Sequence, residues 1–345
     1  MHCLIPAPGD TVPMKFRLLR HLLLVALLSH GSARSEDWPT YRHDYGRSAA
    51  TGEKLPLPLR PLWTFRSRQS HRTPLQKGEL HLEITPEFNK HSLSLTTAGD
   101  LVFFTSVAEG RLGCLEAATG KTRWEFVAGS AINRSATIAG GRVYVGSDDG
   151  HVYCLAADTG SLIWKHKASP AERWMFSFGQ LTSVWPVRTD IVVDKEVAYF
   201  GVGVFPHDGT FVCALDTKTG KRLWRNGIQC ETLNRWSLSP VGHIYLTEHN
   251  LYMPMDFKQF HWALFNSYKR TDGTYDAWAG TDPDNPAGYG EPFYPLMGAM
   301  HGGRRYRGNE AHTVEIILDE KSKKKNHKLE RLWNVETKGY HCDLD

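Results

Sequence analysis

The sequence predicts an all-β fold, a β-propeller of four-stranded blades, with seven or eight blades expected when closed and about five visible along the 345 residues of this chain. Two observations predict it. The first is a phrase that returns in phase. Gly110-Arg-Leu-Gly-Cys-Leu-Glu-Ala-Ala-Thr-Gly120-Lys-Thr-Arg-Trp124 comes back as Gly150-His-Val-Tyr-Cys-Leu-Ala-Ala-Asp-Thr-Gly160-Ser-Leu-Ile-Trp164, and again as Gly209-Thr-Phe-Val-Cys-Ala-Leu-Asp-Thr-Lys-Thr-Gly220-Lys-Arg-Leu-Trp224. The tryptophans are 40 and then 60 residues apart, so one unit repeats with an insertion in its third interval. A period near 40 residues is the interval of a propeller blade. The second observation is the turn chemistry inside each copy. Ser147-Asp-Asp-Gly150 and Asp158-Thr-Gly160 separate apolar alternations, and glycine accepts the positive φ of a hairpin turn without steric cost.

The elements follow in chain order. Met14-Lys-Phe-Arg-Leu-Leu-Arg-His21 is a basic start, residues 22–28 are apolar, and residues 29–35 are small and polar, with Ala33 and Ser35 suiting cleavage before Glu36. Residues 1–35 therefore read as a secretory signal peptide, with Met14 the better start, and the apolar run is too short for a stable span. No cysteine stands at the cleavage point, so no lipid anchor is expected. Residues 36–66 read as a leading segment in which Trp63, in Pro61-Leu-Trp-Thr-Phe65, supplies a ring-closing strand.

Residues 67–345 read as propeller repeats. The first unit runs over 94–126. The second has strands at 133–138, 142–146, 151–155 and 162–165, and the third runs over 189–225. A degenerate fourth follows in His243-Ile-Tyr-Leu, Asn250-Leu-Tyr-Met-Pro254, residues 262–265 and Arg270-Thr-Asp-Gly273. A fifth lies in 313–319 and 329–335, its hairpin swollen by a lysine-rich solvated loop at 321–328. Seven or eight blades need roughly 300 or more residues of repeat, so the repeats are expected to be C-terminally incomplete or to close with another chain. Gly120, Trp124, Gly160, Trp164, Gly220 and Trp224 are assigned structural roles within the repeat.

Composition limits the function. The formal charge of +4 falls to about +1 once residues 1–35 are removed, which gives no reason to invoke nucleic acid. No other apolar run approaches the roughly 18 residues of a transmembrane helix. Five cysteines remain after residue 35, an odd number that excludes complete intrachain pairing. Cys114 and Cys154 share one repeat position, held by Ala214 in the third unit, and read as small buried hydrophobes; a disulfide between neighbouring units is the other reading. Seventeen histidines are scattered without metal-ligand spacing, so no metal site is predicted. No nucleophile elbow, phosphate loop or dinucleotide fingerprint occurs, and no catalytic residue is nominated. Asp148 and Asp208 read as turn residues satisfied locally.

The insertion at 169–188 is the leading functional candidate. Arg173, Trp174, Phe176, Trp185 and Arg188 place aromatic and guanidinium groups on the connection between second and third units, where ligands and partners dock on propellers. The competing assignment has Trp174, Phe176, Phe178 and Trp185 fold the insertion onto the blades. A weaker candidate is the stretch 275–306, with Tyr294, His301, Arg304 and Arg305, as a lid or surface loop suited to carbohydrate or peptide.

The repeated pattern, carried by Leu115, Thr119, Gly120, Lys121 and Trp124 and by their counterparts around Gly160 and Gly220, resembles the PQQ-type (pyrroloquinoline-quinone-like) propeller repeat of the quinoprotein alcohol dehydrogenase-like superfamily. Asp37-Trp-Pro-Thr-Tyr-Arg-His-Asp-Tyr-Gly-Arg-Ser48 is similar to the start of exported bacterial members, and Gln180-Leu-Thr-Ser-Val-Trp-Pro186 extends the likeness to a planctomycete-type branch. The resemblance implies one of two functions. Quinoprotein dehydrogenases oxidise alcohols with PQQ and calcium, stacking the cofactor on adjacent cysteines and ligating calcium through Glu, Asn and Asp. This chain has no Cys-Cys pair and no haem-attachment motif. The other branch is the non-catalytic propeller of outer-membrane protein assembly, which binds protein partners through loops and uses no cofactor. The expectation is an exported, soluble scaffold of the periplasm or cell envelope. It would bind a protein or small-molecule ligand at the propeller face without a cofactor; a PQQ- and calcium-dependent oxidoreductase is the alternative.

Overall fold

The computed structural model describes residues 36–54, 57–66, 93–177, 180–228, 239–256, 264–276, 298–301, 304–308, 312–317 and 330–336. Residues 1–35, expected to be a signal peptide, and Phe178, Tyr294, Cys230, Cys342 and the lysine-rich segment 321–328 lie outside them. The described residues form a β-propeller array of five four-stranded antiparallel sheets and one two-stranded hairpin. The first sheet orders β1 (Leu93–Ala98), β2 (Leu101–Ser106), β3 (Arg111–Glu116) and β4 (Thr122–Val127) as successive neighbours. The second does the same with β5 (Thr137–Ala139), β6 (Arg142–Gly146), β7 (His151–Ala156) and β8 (Leu162–Lys167). The insertion supplies the hairpin β9 (Trp174–Ser177) and β10 (Gln180–Ser183). The third sheet is β11 (Val192–Asp194), β12 (Val197–Val202), β13 (Phe211–Asp216) and β14 (Arg222–Gly227).

In the fourth sheet β15 (Ser239–Pro240) and β16 (Tyr245–Leu246) both pair with β17 (Asn250–Asp256), which also pairs with β18 (Leu264–Lys269). Tyr252 faces both Tyr245 and Ser267, and Met255 faces both Pro240 and Leu264. The two short strands therefore lie end to end along one edge of β17, as an innermost strand broken at residues 241–244. The fifth sheet is β19 (Gly298–His301), β20 (Arg304–Gly308), β21 (His312–Ile317) and β22 (Glu330–Glu336).

Two boundaries correct the sequence reading. The innermost strand of the second unit spans Thr137–Ala139 rather than 133–138, and the Arg134 C=O before it accepts from Thr105 Oγ1 at 3.0 Å instead of entering the ladder. His301, Arg304 and Arg305, expected on a lid or surface loop, stand on the first two strands of the fifth sheet. Their segment lacks the apolar alternation that marks a strand.

One turn recurs after the third strand of a unit, counting β15 and β16 as one broken strand. Gly120 N–H donates to Glu116, Gly160 to Ala156, Gly220 to Asp216 and Gly273 to Lys269, all at 2.8–2.9 Å. Each of these glycines has φ between 68° and 72°, and in the first three sheets the ladder shifts register at the strand end just before the turn. That is a type I turn closed by a left-handed residue and a bulge. The glycine is also a socket. The Trp63 ring lies over Gly120, Trp124 over Gly160, Trp164 over Gly220 and Trp224 over Gly273, and a Cβ added to any of them would come within 2.5–2.6 Å of the indole. The Trp63, Trp124 and Trp164 Nε1–H groups donate to Ala117, Ala157 and Thr217 at 2.8, 3.0 and 2.9 Å. Trp63 thus stands to the first sheet as Trp124 stands to the second.

The apolar core is laminated between sheets. One cluster joins Phe103, Cys114 and Trp124 to Val143 and Leu155. A second joins Tyr144, Cys154 and Trp164 to Val187, Phe200 and Leu215, and a third joins Val192 and Val212 to Leu251, Met253 and Tyr268. Cys114, Cys154 and Cys213 are buried free thiols within these layers, so no disulfide links the first three units through them. Burial pushes the first two up to about 11 and Cys213 to about 12, which leaves them unreactive packing groups.

Residues 38–49 run across the inner strands of four sheets. Trp38 exchanges hydrogen bonds with Thr97 of β1 at 3.0 and 2.9 Å, and Pro39 C=O accepts from Ile138 of β5 at 2.8 Å. The Tyr45 hydroxyl donates to Val193 of β11, and its C=O accepts from Leu246 of β16 at 3.4 Å. Arg42, His43, Arg47 and Ala49 all hold positive φ. Several left-handed non-glycine residues in so short a stretch persist only where surrounding contacts over-determine them.

Candidate functional site

Two polar constellations stand out, one buried at the hub and one exposed on the insertion. At the hub, Arg47 is fully buried and its guanidinium pairs with the buried Asp190. It also donates to Ile244 C=O at 3.0 and 2.8 Å, to Thr40 Oγ1 at 3.1 Å and to Tyr41 C=O at 2.9 Å. The second Asp190 oxygen accepts the Ile244 N–H at 3.0 Å, and His243 Nδ1 lies 3.2 Å from the first. Burial alone would push the Asp190 carboxyl up, but Arg47, His243 and the Ile244 N–H together hold it below the usual range. Tyr41 stacks on His243 with the rings 6° from parallel. Every oxygen of Asp190 is committed, so the hub acts as a clamp.

His243 gives the hub a pH dependence. Burial pushes it down to about 4, against an upward pull from Asp190. Below the unfolded value near 6.5 the unfolded chain therefore binds a proton that the folded chain refuses, so stability is full above about 6.5 and drains as pH falls toward 4. The loss is expected to reach about 3 kcal/mol. Urea midpoints at pH 7 and pH 5 should fall for the parent and much less for His243→Asn; equal falls would refute this assignment.

The insertion builds the exposed constellation. The β9–β10 pair aligns Trp174 with Ser183, Met175 with Thr182 and Phe176 with Leu181. Alternation puts Trp174, Phe176 and Leu181 on one face, and they are 43%, 78% and 56% exposed. The hairpin is held to the propeller through β10. Leu181 C=O accepts Ser130 Oγ at 2.7 Å, Ser183 N–H donates to Asp148 C=O at 2.7 Å, and the Gln180 amide reaches Ala108 C=O at 3.2 Å. Arg173 Nη1 pairs with Asp208 Oδ1 at 2.6 Å, and its guanidinium lies 5.5 Å over the Trp185 ring. Trp185 Nε1–H donates to Asp208 C=O at 3.0 Å. A concavity of about 650 Å³ opens here, lined by residues 172–175, Val184, Phe205, His207 and Asp208.

The structure divides the five predicted docking residues. Arg173 and Trp174 line the concavity and Phe176 stands beside it on the exposed face. Trp185 and Arg188, 5% and 7% exposed, are interior: the first is a strut under Arg173, and the second gives its C=O to Arg134 and Gly242 near the hub. Burial takes both side chains off any surface that a partner first meets. Asp208, read from sequence as a locally satisfied turn residue, instead ties the 3-10 turn Pro206–Asp208 to the insertion. Phe205, His207 and Glu172 also line the concavity, and only proximity in the fold identifies them, because no sequence pattern marks these residues. Among the described residues no group of three or more His, Cys, Asp or Glu side chains could hold a metal ion, and no helix is long and apolar enough to cross a membrane.

Residues 60–242 match the family model described as outer membrane protein assembly factor BamB, more than half of the chain. The chain belongs to this family of PQQ-like repeat propellers. Curated relatives place the propeller in the wider quinoprotein alcohol dehydrogenase-like superfamily. It is 32% identical over 136 residues to a polyvinylalcohol dehydrogenase of a Pseudomonas species, a match covering 39% of this chain and 19% of the relative. It is 31% identical over 156 residues to the quinohemoprotein alcohol dehydrogenase ADH IIB of Pseudomonas putida, covering 42% of this chain and 20% of the relative. The chain thus matches about a fifth of the length of these relatives. Among solved structures, a europium-containing methanol dehydrogenase superposes with a TM-score of 0.50 at 15% identity, covering 78% of this chain and 55% of the other. That likeness is one of fold.

A quinone held by calcium is what the resemblance to the quinoprotein dehydrogenases implies. The described donors do not fit it. The buried hub carboxylate is saturated by Arg47, His243 and Ile244, and the three described thiols lie apart in separate sheets with their protons held by burial.

Proposed function

We propose that the chain is an exported binding scaffold of the periplasm or cell envelope, which engages a protein partner through the β9–β10 hairpin and the concavity beside it. One observation carries the reading. Trp174, Phe176 and Leu181 form an exposed apolar face on a hairpin anchored firmly on its other side, with the Arg173–Asp208 pair at its base. Exposed apolar patches of this kind mark interaction sites, and aromatic and arginine side chains carry most of the energy there. The assembly-factor family supports the reading.

The dehydrogenase reading draws on the alcohol dehydrogenase relatives. Two measurements separate them. Calorimetry of the exported chain with PQQ and calcium is expected to give no heat of binding; tight binding with dye-linked alcohol oxidation would overturn the scaffold. Recovery of a partner from envelope extract should fall about tenfold or more for Trp174→Ala with Phe176→Ala, a loss of about 1.4 kcal/mol or more. Unchanged recovery would place the docking surface elsewhere.

A further inference from the structure

The backbone of the insertion hairpin carries information that its side chains do not. Val184 N–H donates to Arg173 C=O at 2.9 Å, which makes residues 173 and 184 a hydrogen-bonded pair. Bonded and non-bonded pairs alternate along an antiparallel ladder. The N–H and C=O of Met175 and Ser177 therefore point inward to β10, and those of Trp174 and Phe176 point outward. The same alternation turns Leu181 and Ser183 outward on the other strand. There the Leu181 C=O and Ser183 N–H are taken by Ser130 and Asp148 of the propeller. One edge of the hairpin is consumed in anchoring it. Among the described residues, nothing pairs with the backbone of Trp174 or Phe176 on the other edge.

The concavity lies at the start of that edge, where Glu172 and Arg173 lead into Trp174 and Met175 of β9. Val184, Phe205, His207 and Asp208 complete its lining. Formal charges in the groove are paired, Glu172 with Lys167 at 2.5 Å and Arg173 with Asp208 at 2.6 Å. This balance favours an uncharged backbone over an acidic or a basic ligand.

We propose that the outer edge of β9 takes up an extended, apolar-alternating segment of a partner polypeptide as a third strand. The outward groups of Trp174 and Phe176 pair with its backbone, while Trp174, Phe176 and Leu181 cover its apolar side chains. Strand addition draws affinity from main-chain hydrogen bonds and specificity from alternate side-chain pockets. A second copy of this chain is the less suitable occupant, because its β9 would have to enter the groove with β10 and the anchoring sheets attached. The assignment rests on the scaffold reading and adds the mode of binding.

The test uses the exported chain and a panel of fluorescein-labelled decapeptides alternating Val, Tyr or Phe with Thr, Lys or Glu, read by anisotropy. At least one peptide should bind with a Kd below about 100 µM, and N-methylation of its alternate amides should weaken it at least tenfold. Phe176→Pro should bind at least tenfold more weakly than Phe176→Ala, because proline there removes an outward N–H and leaves the ladder to β10 intact. No binding by any peptide, or equal binding by the proline and alanine variants, overturns strand addition. If envelope-partner recovery still falls with Trp174→Ala, the scaffold stands and only the mode fails. Sedimentation showing a dimer that Phe176→Pro dissolves would assign the edge to a second copy and overturn the partner assignment.

Discussion

Arg47→Ala is expected to destabilise the propeller by about 3–5 kcal/mol. The guanidinium is fully buried and answers Asp190, Ile244, Thr40 and Tyr41 together. Its removal leaves a buried carboxylate without its principal counter-charge, and it releases the leading segment from the third and fourth sheets. The sign of the pH response identifies the cause. Without Arg47, burial should dominate and raise the Asp190 carboxyl above its unfolded value. The variant then loses stability at high pH and recovers it as pH falls and the acid is protonated. The gap between variant and parent in urea midpoint should therefore narrow from pH 7 to pH 5. A gap that stays constant, or a total loss under about 1 kcal/mol, would show that the clamp is ornamental.

Gly160→Ala is expected to cost about 2–5 kcal/mol, the sum of a left-handed φ that resists a side chain and a Cβ driven into a rigid indole. The backbone part can be isolated. Gly140 has φ 56° and open space where an alanine methyl would sit, with nothing within 4 Å, so Gly140→Ala should show only about 1–2 kcal/mol. The steric part is isolated by a cycle with Trp124→Ala. Removing the ring opens the socket, so the double variant should be more stable than the summed single losses by about 1 kcal/mol or more. Additive losses would show that the indole does not press on Gly160.

The parts of the fold legible in the sequence are those written locally. Thr-Gly turns and the tryptophan that follows them lie within one hairpin, and their chemistry is forced by backbone geometry, so Gly120, Gly160 and Gly220 can be placed from the residue pattern alone. The fourth copy at Gly273 is legible only as a turn, since Ala277 holds the position of the tryptophan and Trp278 stands one residue later. The hub is invisible for the opposite reason. Arg47 meets Ile244 across 197 residues and Asp190 across 143, and no local pattern distinguishes either partner. The insertion lies between these cases. Its aromatics announce a special segment, and Arg173 and Trp174 line the concavity while Phe176 is exposed beside it. The burial of Trp185 and Arg188 depends on where blades happen to converge. The edge of β9 requires knowing which hydrogen bonds its sister strand has already made.

The tryptophan-into-glycine contact has a direction. Each of the first three sheets presents a ring to the sheet after it and takes a ring into a hollow on its other side, so the interface is heterologous and repeats head to tail. A duplicated unit arrives with both halves of the joint, and a deleted one removes both. Lineages built on such a joint can change the number of blades, or lengthen the link between two of them, without inventing a new interface. The long link after Trp164 is a case in point: it carries a whole hairpin, yet Trp164 still reaches Gly220 just as Trp124 reaches Gly160. Novelty in this architecture can accumulate between the joints while the joints themselves stay unchanged.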